Sequence, residues 1–428
     1  MTISRRFFLQ SSGALAFCYC AQPWSAFSAA TTIEKTARRK TLVIIFLRGG
    51  VDGLNLVVPH GDPHYAALRP SLAIAAPGQE GGAIDLDGYF GLHPRLQALL
   101  PLHRDGQLAA LHAVGYSENT RSHFEEQDVW ETGVVGNSIH SDGWLNRHLA
   151  TSEGRGPIRA VAVGDTLPRI LRGDVPAYAV RGIEDLTLPQ SRVGGDAVAA
   201  ALEHAYGRRP GDGKDGPRDL IRRAGDETLE GIKVLRKVVD NPPRGEGEYP
   251  RSGLGVQLRE IARLIKADVG LEVAEVDFGG WDTHQNQGNG AEGQFGNLAQ
   301  SLGDGIAAFA RDLGDRMRDT LVVTLSDFGR TARENGTRGT DHGWGNCMLA
   351  VGGSVEAAGK GKPRDVVGRW PGLATEQLHQ QRDLEFTTDF RDVIGEVVRA
   401  HLGNNNLGEV IPGHTFSPVG LVTRSARL

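Results

Sequence analysis

Thr41–Leu47 (TLVIIFL) is an unbroken apolar run rich in β-branched residues that stops at Gly49-Gly50. Continuity without alternation predicts a strand buried on both faces. Similar short runs recur at 108–114, 158–163, 271–277, 321–325 and 348–351. Between them the apolar positions shift to spacings of three and four, most clearly at Phe295, Leu298, Leu302, Ile306, Phe309, Leu313 and Met317. That period predicts a long amphipathic helix. Strands alternating with helices build a central, mostly parallel sheet with helices on both faces, so the expected class is α/β. A last helix is expected from Asp389, a capping residue, to Gly403, a left-handed stop.

The first thirty residues follow another pattern. Ser4-Arg5-Arg6-Phe7-Phe8-Leu9-Gln10 precedes an apolar stretch from Ala14 to Cys20 and small residues at Ala26, Ser28 and Ala30. This order predicts a twin-arginine signal peptide over 1–30, with the twin-arginine translocation machinery as a partner and a periplasmic or secreted destination. Its removal would take Cys18 and Cys20 and leave only Cys347, so no internal disulfide is expected. Past residue 30 no run reaches the roughly 18 apolar residues that a membrane span needs.

From 207 to 250 Gly, Pro and charged residues surround one helical stretch at 217–239. It reads as a surface insertion or cap on a single domain over 41–412. A formal charge of -5 gives no broad basic face, which argues against nucleic acid as a partner. With 58 Gly in 428 residues, glycine is about twice its usual share, and the tight loops this predicts are where sites sit.

In parallel sheets, ligands bind beyond the carboxyl ends of the strands. Asp52 follows the first apolar run; Asp277, Asp282 and His284 follow the fourth; Asp327 follows the fifth; Asp341-His342 precedes the sixth. Such oxygen and nitrogen donors suit one or two divalent ions, Zn²⁺ or Mn²⁺, or Mg²⁺ or Ca²⁺ where oxygen dominates. Ser122 opens a helix after the second run, a place where free N–H groups and the dipole favour an anionic substrate and a hydroxyl nucleophile. His123 is a candidate to orient that substrate. Ser122 with Glu125 three residues on is also a capping box. Arg48 and Arg330 offer forked contacts to phosphate or sulfate oxygens, or salt bridges to nearby acids. The Gly-rich turns at 49–53 and 352–353 lack both the dinucleotide fingerprint and the P-loop lysine.

Several motifs together carry a resemblance: RGGVDGLN at 48–55, LRPSLAI at 68–74, SHFEEQD at 122–128, GGWDTH at 279–284, SDFGRT at 326–331, GTDHGWG at 339–345 and TDFR at 388–391. In order and spacing, from about Thr41 to about Pro412, the chain resembles the bacterial domain-of-unknown-function 1501 family. That family's members are typically twin-arginine exported, and it is similar to the alkaline phosphatase-like superfamily of phosphatases, sulfatases and phosphomutases. The resemblance implies an alkaline phosphatase-like sandwich, two adjacent divalent ions and a hydroxyl nucleophile at a helix start. Asp282, His284 and His342 would hold one ion, Asp52 and Asp327 the other, with Ser122 or Thr120 as nucleophile. Two features depart from the superfamily: Phe328 follows Asp327 where His is common, and the tight Asp282-to-His284 spacing leaves Asp277 as an alternative counterpart. The function implied is an exported metal-dependent hydrolase acting on a phosphate or sulfate ester, its partner a small anionic ester or an envelope component. The alternative is a non-catalytic envelope binding or assembly protein that retains the fold. A third reading, glycan binding, draws on Trp130, Trp144, Trp281 and Trp344.

Overall fold

A computed structural model of the chain describes residues 39–136, 140–154, 156–183, 230–243, 247–289, 293–355 and 366–422. The segment read as a signal peptide, 1–30, and the first part of the helical stretch at 217–239 lie outside these residues. Strands run in chain order as β1 (Thr41–Leu47), β2 (Val57–Val58), β3 (Ile84–Asp85), β4 (Gly91–Leu92), β5 (Leu108–Gly115), β6 (Ala160–Val163), β7 (Tyr178–Val180), β8 (Val273–Phe278), β9 (Thr320–Ser326), β10 (Asn346–Gly352), β11 (Val366–Val367) and β12 (Thr388–Asp389). The main sheet has the order β11-β5-β10-β9-β1-β8-β6-β7, with β12 also on β5. β1 lies parallel between β8 and β9, Ile44 standing opposite Glu275 and Val323. A central strand meets protein on every side, which is why its sequence is apolar without alternation.

Alternate β1 residues feed two cores, as the two-residue pleat requires. Val43, Ile45 and Leu47 pack with Leu254 and Leu258 of the helix Gly253–Lys266 and with Phe295, Leu302 and Ile306 of the helix Gln294–Leu313. Leu42, Ile44 and Phe46 pack on the other face with Trp130, with Leu145 and Leu149 of the helix Trp144–Thr151, and with Phe390 and Val393 of the helix Phe390–Glu396. Helices therefore cover both faces of a mixed, mostly parallel sheet. Leu235 and Val238, from a helical segment at 230–240, are buried in the first core.

The long helix follows the predicted stripe as far as Leu313 and stops there, because Gly314 turns to φ 51 and Met317 falls in a separate 3-10 turn. Burying each large apolar side chain of the stripe contributes about 1.5–3 kcal/mol, which outweighs the roughly 1 kcal/mol that each internal glycine costs. Gly303 allows a close approach, since a Cβ there would lie 3.1 Å from the Leu96 side chain, which would have to give by a few tenths of an ångström. At the C-terminal helix Asp389 caps the Arg391 N–H, and the helical path continues as a π turn to His401 before Gly403 ends it at φ 74. Trp130, Trp144, Trp281 and Trp344 are all buried, so they present no sugar-binding face. Among the described residues no helix is long and apolar enough to cross a membrane.

β1, β8 and β9 all point their carboxyl ends to one edge, delivering the segments that begin at Arg48, Gly279 and Asp327. β10 is antiparallel to both β9 and β5, so its beginning, and the 339–345 loop before it, lies at that same edge. The one reversed strand thus brings His342 to the parallel strands' outlets.

Candidate metal centre

The turn leaving β1 is built from Gly49 at φ 114 and Gly50 at φ 68. Side chains are excluded there, because a Cβ would come within 2.7 Å of the Asp282 nitrogen at Gly49 and 2.6 Å of the Phe328 ring at Gly50. The turn aims both backbone N–H groups at Asp327 Oδ1, at 3.1 and 3.4 Å. Asp327 Oδ2 accepts from His123 Nδ1 at 2.7 Å and from Gln127 Nε2 at 2.9 Å. Burial works to raise this carboxyl, but those donors outweigh it and hold it below the usual carboxylate range.

Three imidazoles converge beside it, each tied at Nδ1. His123 donates to Asp327. His284 Nδ1 lies 3.2 Å from Asp341 Oδ1. His342 Nδ1 lies 2.9 Å from the Arg121 carbonyl oxygen, on a residue held in the left-handed region at φ 60. A carbonyl only accepts, so His342 carries its proton on Nδ1 and presents a lone pair at Nε2. Burial keeps this imidazole below its ordinary pKa, whereas the bond to Asp327 raises that of His123.

The three Nε2 atoms face one oxygen, Asp282 Oδ1. His284 stands 3.0 Å from it, His342 3.3 Å and His123 3.6 Å, and the Nε2 atoms of His284 and His342 are 3.0 Å apart. Ligands about 2.0–2.1 Å from a tetrahedral ion stand roughly 3.3 Å from one another. The observed spacings bracket that value. His123 Nε2 is a buried nitrogen with no hydrogen-bond partner. Lone pairs at this spacing repel unless a cation lies among them, and a nitrogen-rich set with one carboxylate fits Zn²⁺ best. Among the described residues, His123, Asp282 and His342 form a group whose ligand atoms all lie within 4.8 Å of one another; His284 is outside that group, approaching Asp282 and His342 at 3.0 Å each. The four side chains are 25% to 46% exposed, so the centre opens to solvent.

The expected ligands divide. Asp282, His284 and His342 are brought together; His123, expected only to orient substrate, joins them; Asp327 stands one step back as the acceptor that orients His123. Asp52 is kept apart, fully buried in an ion pair with Arg69 at 2.6 Å, its Oδ2 also accepting from Gln287 Nε2 at 2.6 Å. Both of those contacts fall on Oδ2; Oδ1 is buried without a hydrogen-bond partner. Phe328 occupies the space beside the centre, 4.7 Å from the His123 ring and 4.6 Å from that of His342.

The arginines also differ from expectation. Arg330 is buried and spends its guanidinium on the carbonyls of Gly49, Gly50, Trp281 and Thr340 and on Asp282 Oδ1 at 2.5 Å. It braces Asp282 from a side chain shielded from solvent. Although burial opposes it, the Arg330 bond and charge, aided by His284 and His123, hold the Asp282 carboxyl low. Arg48 is engaged by Asp277 at 2.5 Å and Glu131 at 2.7 Å, which also removes Asp277 as an alternative to Asp282. Ser122 stands at the start of the helix His123–Thr132 with no side-chain cap bond, so the capping box does not form. Thr120 is tied instead, its hydroxyl donating to Glu126 at 3.1 Å. Sequence reasoning missed Gln127 and the Arg121 carbonyl; the signal for Gln127 was its place four residues after His123 on one helix face.

Residues 242–412 match the family model described as "Protein of unknown function (DUF1501)". That span holds Asp282, His284, Asp327, Arg330 and His342 and leaves out Asp52, Ser122 and His123. No curated protein matches the sequence. Among solved structures, the chain is similar to the C-terminal periplasmic domain of EcEptC from Escherichia coli in complex with Zn, at 9% identity over 74% of each chain and a TM-score of 0.32. It is also similar to a protein in the alkaline phosphatase superfamily from Vibrio parahaemolyticus, at 13% identity over 74% of this chain and 60% of that one, TM-score 0.32. A third is the alkaline phosphatase from the Antarctic bacterium TAB5, at 11% identity over 74% and 92%, TM-score 0.30. Superpositions this loose leave the chemistry to be argued from the chain's own residues.

Proposed function

We propose that this chain is an exported, metal-dependent hydrolase-like protein of the family matched at 242–412, acting on a phosphate or sulfate ester through one divalent ion. The supporting observation is the convergence of three Nδ1-anchored imidazoles on Asp282 Oδ1 at 3.0 to 3.6 Å. His123, Asp282, His284 and His342 would hold the ion, and a bound Zn²⁺-type ion would supply Lewis acidity toward an ester oxygen. One ion is proposed because Asp52 is fully buried and its Oδ2 is paired with Arg69 and Gln287. The chain's own residues supply the rest. Ser122 carries a hydroxyl free of capping duty at the start of a ten-residue helix, whose N–H groups favour an anionic group. Asp327 fixes the tautomer of His123, so its Nε2 serves as ligand or proton acceptor. Export by the twin-arginine route, to the periplasm or beyond, and a single domain over 41–412 with a cap at 207–250, belong to the same proposal.

One observation favours a second reading, a non-catalytic envelope binding or assembly protein. With His284 drawn in to the group of His123, Asp282 and His342, four protein donors would close a tetrahedral shell, the arrangement of structural sites, whereas catalytic zinc keeps a position open. Metal analysis of the exported protein and assays with aryl phosphate and aryl sulfate separate the two. The hydrolase reading expects one Zn²⁺ per chain, and turnover lost in Asp282→Ala, His342→Ala and Ser122→Ala. Stoichiometric Zn²⁺ without turnover on either ester counts against the hydrolase reading; absence of bound metal with Zn²⁺, Mn²⁺, Mg²⁺ or Ca²⁺ refutes it and favours the second.

A further inference from the structure

The segments carrying Asp282 and His284 on one side and His342 on the other come from different parts of the chain, and one buried side chain joins them. Gln287 is fully buried. Its Nε2 lies 2.6 Å from Asp52 Oδ2, and its Oε1 accepts from Thr283 Oγ1 at 2.8 Å and from Thr340 Oγ1 at 3.0 Å. The amide orientation follows from chemistry, since a carboxylate can only accept and the nitrogen must face Asp52. Thr283 sits between Asp282 and His284, and Thr340 two residues before His342. Backbone bonds reinforce the same junction: Gln287 N–H donates to Arg338 at 2.9 Å and Thr340 N–H to Thr283 at 3.1 Å. Space there is tight, because a Cβ at Gly339 would lie 2.2 Å from the His284 carbonyl carbon.

The other end of the chain of bonds is anchored. Asp52 is held by Arg69, whose remaining donors go to Asn55 Oδ1 at 2.7 Å and to the carbonyls of Thr331 at 3.0 Å and Ala332 at 2.9 Å. A continuous path of fixed groups therefore runs from Arg69 through Asp52 and Gln287 to both ligand segments. The four contacts among His123, Asp282, His284 and His342 depend on the gap between those segments or on the side chains they carry, and Gln287 bonds to Asp52, Thr283 and Thr340.

We infer that Gln287 is a positioning residue that sets the separation of Asp282 and His284 from His342, and thereby the affinity of the centre for its ion. The inference rests on the metal-site reading above. Groups that orient ligands from behind typically change metal affinity about 10–100-fold when replaced, although they never touch the ion.

The full chain would be titrated with Zn²⁺ in competition with a chromophoric chelator, alongside melting of the metal-free protein. Gln287→Leu and Gln287→Glu are expected to weaken Zn²⁺ binding by about 10–100-fold. The pair Asp52→Asn with Gln287→Glu reverses the polarity of the contact while keeping the buried charge, and is expected to return affinity to within about 3-fold of the wild type, well inside the outer-shell range. Thr340→Val, which keeps shape and leaves Asp52 with Arg69, gives the same direction of effect if the Gln287 variants fail to fold. Variants that melt earlier but bind Zn²⁺ like the wild type would make Gln287 merely structural and overturn the inference. A wild-type chain that binds no Zn²⁺ would overturn the metal centre itself and this role with it, so the wild-type titration tells the two failures apart.

Discussion

Asp282 and Asp52 both follow strands that end at one edge of the sheet, yet they have opposite surroundings. Asp52 is enclosed by donors, Arg69 and Gln287, and is fully buried. Asp282 is braced by Arg330 on one side and faces imidazole lone pairs on the other, with nearly half of its side chain exposed. Asp327 is a third case: it accepts from four fixed donors and acts only through His123. A strand-end carboxylate faces the imidazole cluster where its loop leaves it half exposed and serves as a buried anchor where an arginine pairs with it inside the core. Proximity to the site does not decide the matter.

The largest test of this contrast is Arg69→Met. Removing one partner of a buried pair leaves Asp52 charged and uncompensated, and chemical denaturation should record a loss of about 3–5 kcal/mol. Asp282→Asn, by comparison, should change metal-free stability by less than about 1 kcal/mol, since its pair with Arg330 is half open to water. Equal losses would erase the distinction.

Two buried histidines, His93 and His112, give the core an acid limit. Burial lowers both His93 and His112 to about 4, from an ordinary value of 6.5. In that window the unfolded chain binds more protons than the folded one, so stability is complete above about pH 6.5 and falls as pH drops toward 4. The slope is about 1.4 kcal/mol per pH unit for each histidine. Urea denaturation between pH 7 and 4 checks it, and a flat profile would place these rings in a wetter setting than the structure gives them. The smallest effect belongs to Ser122→Ala. A serine that caps a helix costs about 0.5–2 kcal/mol when removed; this one makes no cap bond, and the stability change should stay under about 0.5 kcal/mol. A larger loss would return Ser122 to a capping role.

Much of the fold was legible. β1 occupies Thr41–Leu47 as the apolar run indicated, and the Asp389 cap and Gly403 stop are where the sequence placed them. Local signals sufficed because those features are decided by neighbouring residues. The reversal of β10 was not legible, since an apolar run carries no direction. Nor was the division among the acids. Asp52 is claimed by Arg69, 17 residues on, and by Gln287, 235 residues on; His123 is oriented by Asp327, 204 residues away. Spacing along the chain holds no record of such meetings. The Gly-Gly turn was recognised as a loop, but its use, donating two N–H groups to Asp327, depends on a strand formed far later in the chain.

The antiparallel course of β10 also bears on when ion-binding capacity arises during folding. His342 stands just before Asn346–Gly352, a strand that lies between its near neighbour in sequence, β9, and the distant β5, Asn346 standing opposite Val114. A nascent chain released before that strand has emerged would contain all four donor side chains in its sequence and still lack the architecture that gathers them. Cation uptake would therefore mark completion of the central scaffold, making metal occupancy a reporter of assembly as well as of chemistry.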